Sequence, residues 1–328
     1  MSTVTQSTTQ EVTPTPPREG SRTRPRRRVG DRVFSGLSTG SGITILVILA
    51  AVAGFLLMQA VPALTASPAQ LEQQGYGPFW SWIIPFAWGT VWVSFWALLF
   101  AVPVAIGIAL FISHYAPRRM ASFIGYVVDL LAAVPSVVFG LWGSIVLAKA
   151  VQPVWVWLNT YLGWIPFFAG QVSGTGRTLL TTAIVLAVMI LPIITSLCRE
   201  VFLQTPVLHE EAALALGATR WEMVKMAVLP FGRAGIISAV MLGLGRALGE
   251  TMAVAMVLSG ASVINIEVLT SQNPNTIAAV IAQNFPEAYG LKTNELIAGG
   301  LVLFLITLLV NMGARLIIAR YKDFSGAN

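Results

Sequence analysis

The chain has 328 residues, 55% of them hydrophobic and only 10% charged, with a mean hydropathy of +0.75. A water-soluble domain usually carries about 25% charged residues, so composition excludes a soluble enzyme and indicates a membrane protein. The net charge of +6 reports topology in such a chain rather than nucleic-acid binding, and one cysteine with two histidines excludes a disulfide scaffold and a metal cage.

Residues 1–34 are rich in Ser, Thr, Pro and Arg. They hold too little apolar surface to offset the entropy of ordering, so a disordered basic cytoplasmic tail is expected ahead of one transmembrane domain, 35–328. The first apolar run, Ile43 to Leu64, is too long for a signal-peptide core and long enough to cross a bilayer uncleaved. Further runs over Gly89–Tyr115, Ile124–Val151, Thr178–Leu203, Ala234–Leu258 and Glu295–Ile318 make about six helices in an all-α membrane protein.

With the tail inside, the inner loops collect Arg118, Arg119, Arg199, Arg220, Lys225, Arg233, Arg315, Arg320 and Lys322. The outer loops hold only Lys149, Arg177 and Lys292, so both termini are assigned to the cytoplasm of a multi-pass plasma-membrane protein. Pro103, Pro135 and Pro192 fall inside spans, where each can bend its helix for gating or simply be tolerated. The outer loops Thr65–Trp88, Gln152–Gly176 and Ser259–Leu291 carry no defensible fold of their own. His114 reads as a solvated interface residue.

The inner loop of about 200–233 holds the clearest local signals. Thr205 is expected to cap a helix opening at Pro206 and carrying Glu210, Glu211, Ala212 and Ala213. Gly217 suits the left-handed stop of that helix. Thr219-Arg220-Trp221-Glu222 is a capping box for a second short helix, expected to end before Pro230. The product is either a rigid elbow or an amphipathic loop resting on headgroups.

Arg246 and Glu250 stand four residues apart in the fifth span, so one uninterrupted helix would stack them on one face, with Gly245 and Gly249 offering a close-approach face beside them. A charge near the bilayer centre costs about 2.5–3.5 kcal/mol on insertion scales. The two charges therefore either neutralise each other as a bundle clamp, or present a guanidinium fork to a passing oxyanion.

Glu211-Ala212-Ala213, Gly217 and Leu229-Pro230 resemble the EAA motif of ABC importer permeases, with Ala227 at a position that is usually Ile. Met241-Leu-Gly-Leu-Gly-Arg-Ala-Leu-Gly-Glu-Thr-Met-Ala253 and Leu131-Ala-Ala-Val-Pro-Ser-Val-Val-Phe-Gly-Leu-Trp-Gly143 extend the resemblance to the PstC family of phosphate importer permeases, from about Phe34 to Tyr321. The long Arg-rich tail and His114, where many relatives carry an acidic residue, depart from it.

The resemblance implies a type I ABC importer permease fold and a non-catalytic subunit that forms a path with a second, PstA-like permease. A pair of PstB-like ATPases and an external PstS-like phosphate-binding protein would complete the importer, with membrane lipids around it and no nucleic acid. It places Arg246, Glu250, Thr251, Pro135 and Ser136 on the substrate path, and Glu211, Ala212, Ala213, Gly217, Leu229 and Pro230 on the ATPase-coupling surface. The chain lacks a nucleotide loop of its own, since the nearest run, Gly176-Arg177-Thr178, has Arg for Lys and Gln171 for the first Gly. ATP is therefore expected on the partner, with no cofactor or metal on this chain. A permease for another oxyanion such as molybdate, or a secondary transporter without an ATPase, are the alternatives.

Overall fold

The computed structural model describes residues 29–66 and 78–321. The expected tail thus falls mostly outside the described residues; α1 (Val29–Thr65) begins within the stretch assigned to it. The chain divides after Ala53 into two units, and the packing below lies within the second, which starts at Gly54.

After α1 come α2 (Phe79–Leu110) with a π-helical turn at Phe111–Tyr115, α3 (Arg118–Ala132), and α4 (Ser136–Trp142), which continues through a π turn at Gly143–Leu147 into α5 (Ala148–Leu162). Then follow α6 (Leu179–Leu203), α7 (Val207–Ala215), α8 (Arg220–Met223), a π turn at Val224–Val228, α9 (Leu229–Leu248) and α10 (Met252–Val257). Two-residue strands β1 (Gly260–Ala261) and β2 (Asn273–Pro274) pair in parallel, and α11 (Ile277–Asn284) and α12 (Leu291–Tyr321) close the chain. Among the described residues, six helical stretches are long and apolar enough to cross a membrane: Val33–Thr65, Phe79–Tyr115, Ser136–Leu162, Leu179–Leu203, Arg220–Leu248 and Leu291–Leu316.

The third span differs from the expected Ile124–Val151. Pro135 disfavours helical geometry at Val134, and α3 ends in tight turns, Ala133 N–H to Leu130 O at 3.1 Å and Val134 N–H to Leu131 O at 3.3 Å. The helix restarts at Ser136, so the crossing runs to Leu162 and takes in Lys149, Pro153 and Trp155, which the sequence had suggested lay at or beyond its outer end. The detached α3 is amphipathic: Gly125 and Val128 are buried while Phe123, Tyr126 and Leu130 are exposed. A Cβ on Gly125 would lie 2.8 Å from a guanidinium nitrogen of Arg199 on α6, so the flexible end of that arginine packs directly over the glycine.

Buried along most of its length, α6 is the central helix of the core. Lipid tails are as apolar as leucine, so helices associate in a membrane through close packing. Ala97, Ala101, Ala105 and Ala109, all fully buried, form a small-residue ridge along the core side of α2. Outside, the segment after α10 folds back over the start of α6. Asn273 Oδ1 accepts from Leu179 N–H at 3.1 Å, and its Nδ2 donates to Thr270 O at 2.8 Å. Thr90 Oγ1 accepts from Ile277 N–H at 3.0 Å, and a Cβ on Gly89 would lie 2.6 Å from the Pro274 carbonyl oxygen. The outer loop of 259–291 therefore has a fold, built on asparagine and threonine bonds to backbone that hydropathy does not register.

Candidate functional site

The elbow starts one residue later than expected. Pro206 is itself the N-cap of α7, in extended geometry (φ −61°, ψ 124°), with no side-chain cap bond. Thr205 still belongs to the turn closing α6, its N–H bonded to Phe202 O at 3.2 Å; its hydroxyl is buried without a hydrogen-bond partner. At the other end of α7, Gly217 adopts φ +88°, with Gly217 N–H on Leu214 O at 3.0 Å and Ala218 N–H on Ala213 O at 3.2 Å. This is a left-handed stop, a conformation that costs a side chain steric strain and glycine none.

The capping box forms: Thr219 Oγ1 accepts from Glu222 N–H at 3.3 Å, and Glu222 Oε2 accepts from Thr219 N–H at 2.8 Å. The helix it opens does not end at Pro230. It continues into α9 because the π turn widens the ladder, Leu229 N–H reaching back to Val224 O, and so takes up the missing N–H and the ring of Pro230. The elbow is thus one short helix, a glycine turn and the first turns of a spanning helix.

Ala212, Ala213, Ala227 and Pro230 line one groove of about 510 Å³ between α7 and the π turn. Leu229 is half-buried, while Glu211 and Gly217 are exposed. His114, expected at a solvated edge, instead sits partly buried between Ser113 Oγ, 2.7 Å from Nδ1, and Glu210 Oε1, 3.3 Å from Nε2, tying α7 to the end of α2.

Arg246 and Glu250 are not stacked on one helix. Gly249 ends α9 (φ −93°, ψ 0°), and α10 restarts at Met252. Glu250 is buried and its Oε1 accepts from Ala253 N–H at 3.0 Å, so the carboxylate satisfies an orphan donor at the start of α10. Arg246 is exposed. Among the described residues the ion pairs are His114–Glu210 and Lys292–Glu295; none joins Arg246 to Glu250. The expected glycine face is likewise interrupted, since Gly249 lies at the break and no atom lies within 4 Å of a Cβ built on Gly245.

Thr251, half-buried, lies in that break, and Pro135 and Ser136 lie at the corresponding break between α3 and α4. The two restarted helices pack together through Gly140, where a Cβ would sit 3.0 Å from Ala253 Cα and 3.0 Å from Met256 Sδ. Arg177 fixes the far end of α10, donating from its guanidinium to the carbonyls of Met256 and Val257. Sequence reasoning had read Arg177 only as an outer-loop charge. A cavity of about 600 Å³ lies beside Arg246, between α9 and α12.

Residues 101–323 match the family described as binding-protein-dependent transport system inner membrane component. The chain is 47% identical over 308 residues to the phosphate transport system permease protein PstC 2 of Mycobacterium tuberculosis, covering 90% of this chain and 93% of that one. It is 39% identical over 306 residues to the PstC protein of Mesorhizobium japonicum, covering 90% and 92%. The chain belongs to the PstC permease family. As a member it is a non-catalytic, multi-pass inner-membrane subunit of an ABC importer that forms the translocation path with a partner subunit, and the secondary-transporter alternative falls away. Such permeases work with a further permease, an ATPase and a binding protein.

The fold of the family is shared more widely. A bacterial alginate ABC transporter in complex with an alginate-bound periplasmic protein aligns over 90% of this chain and 96% of its own, with a TM-score of 0.61 at 16% identity. The MetNI methionine ABC transporter, inward facing, aligns over 74% and 97% with a TM-score of 0.54 at 15% identity.

Proposed function

We propose that this PstC-family chain carries inorganic phosphate inward, past the paired helix breaks, in an importer with a PstA-like permease, two PstB-like ATPases and a PstS-like external binding protein. The observation that carries the reading is the exposed guanidinium of Arg246, unpaired among the described residues, one turn before a helix break inside an apolar span. A cation so placed is too costly to face lipid and is suited to a polar path, where its planar fork matches an oxyanion. Glu250, Thr251, Pro135 and Ser136 shape that path. Glu250 does so by capping α10, which holds the break open beside Arg246.

The elbow supplies the drive. Glu211, Ala212, Ala213, Gly217, Leu229 and Pro230 form the surface on which the ATPase docks, with ATP bound on the partner. The names of the mycobacterial and rhizobial relatives supply phosphate as the cargo. Co-purification of the tagged chain followed by ATP-dependent uptake into proteoliposomes tests the reading. Labelled phosphate should enter only with ATP and the binding protein present, and excess molybdate should not compete. Competition by molybdate would transfer the function to another oxyanion.

A further inference from the structure

We propose that the cavity between α9 and α12 is a second oxyanion subsite, in which Arg315 is a binding guanidinium that takes the ion on from Arg246. This rests on the phosphate-path reading and extends it to a residue that reading does not use. Arg246 on α9 and Arg315 on α12 line the same cavity of about 600 Å³, a size typical of small-ligand sites, about 300–1,000 Å³.

Asn311 lines it one helical turn before Arg315, on the same face. Ser238 lines it too, but its hydroxyl proton is committed to Ala234 O at 2.9 Å. The donors left for a guest are therefore Arg246, Arg315 and Asn311. The remaining wall is apolar or small, including Ile193, Met241 and Leu242.

No carboxylate lies within ion-pair distance of either arginine among the described residues, and Glu295, on the same helix as Arg315, is engaged by Lys292 at 2.7 Å. Arg246 and Arg315 are both exposed, and two guanidinium groups facing one cavity with no acid between them repel each other. A multivalent oxyanion relieves that repulsion, because its oxygens accept from two forks at once. Arg315 lies about 9 Å along α12 from Tyr321, at 1.5 Å per residue. The subsite is thus on the cytoplasmic side of the α9–α10 break, where an ion leaving Arg246 next arrives. A lipid headgroup offers the same phosphoryl chemistry, so the test separates it from the free ion.

The whole importer carrying Ser238→Cys, which leaves the three donors in place, is put in nanodiscs of phosphatidylcholine, and the rate of thiol modification is measured in phosphate and in chloride of equal ionic strength. Cys198, this chain's own cysteine, is fully buried, so within the chain the introduced thiol is the reactive one, and the parent importer without it gives the background from the other subunits. Phosphate should slow modification severalfold, and adding Arg315→Gln should abolish the protection. Met241→Cys reports the same cavity if the first variant does not assemble. In uptake at limiting phosphate, Arg315→Gln should lose about tenfold or more, the scale of one hydrogen bond to a charged group, while Arg315→Lys keeps part of it.

Absence of protection by phosphate overturns the subsite. So does slow modification confined to phosphatidylglycerol discs and indifferent to phosphate, which would make the guest a headgroup. If Arg246→Gln still abolishes uptake in either case, the path reading stands without the subsite; if Arg246→Gln transports normally, both fall.

Discussion

Replacing Gly217 by valine isolates the role of the elbow, because the structure permits the side chain in space but not in conformation. Nothing lies within 4 Å of a Cβ built there, so no clash is introduced, whereas φ is +88°. A left-handed conformation costs an ordinary residue about 1–2 kcal/mol. That shifts the balance between the stopped and unstopped forms of α7 about 5- to 30-fold, by weakening the turn bonds to Leu214 O and Ala213 O. A β-branched residue lies at the upper end of that range. Gly217→Asn is the control, since asparagine visits this region at low cost.

The membrane core does not touch residue 217, so both variants should insert and purify at wild-type levels. Gly217→Val should show reduced phosphate uptake per ATP hydrolysed and weaker retention of the ATPase on titration, while Gly217→Asn behaves nearly as wild type. Equal coupling in the valine and wild-type complexes would refute the claim that the elbow's shape transmits the ATPase stroke.

Glu250→Ala should destabilise the break by about 0.5–2 kcal/mol, the range for a lost N-terminal cap. Glu250→Gln keeps an acceptor oxygen for Ala253 N–H and should lose less, as read by thermal denaturation of the complex. Thr90→Val strands the buried N–H of Ile277 and should cost about 1–3 kcal/mol. Gly89→Ala should be worse, because it forces α2 away from the backbone at Pro274 and Asn275; both are checked by the fraction of assembled complex surviving a heat step.

The sequence revealed most where chemistry is local. The left-handed stop at Gly217 and the reciprocal cap of Thr219 and Glu222 are written within a few residues, and both are present. The number of spans followed from hydropathy, which needs only length and composition. The breaks did not, because a window averaged over a bilayer thickness passes across three residues without change.

Pro135 carried a signal through its effect on Val134, and was read as a kink within a span rather than as the boundary that detaches α3. At Gly249-Glu250-Thr251 the cue was weaker still. A glycine stop followed by a carboxylate three residues before a free N–H reads as a cap only once the helix is known to stop. Pro230 failed in the opposite sense, since a π turn absorbs it. The shared cavity of Arg246 and Arg315 was invisible, because nothing in a single chain's pattern sets the register of α12 against α9.

The central claim is that Arg246 acts on the transported ion and not on Glu250, and uptake by the reconstituted importer carrying Arg246→Gln, with and without Glu250→Gln, tests it most directly. No ion pair joins the two residues, so removing the second charge relieves no stranded partner of the first and their effects should combine without rescue. Labelled-phosphate uptake, normalised to ATPase activity and subunit content, should fall about tenfold or more in Arg246→Gln and show no recovery in the double variant. Near-normal uptake by the double variant would contradict the account and leave Arg246 and Glu250 as a charge-balanced clamp of the bundle.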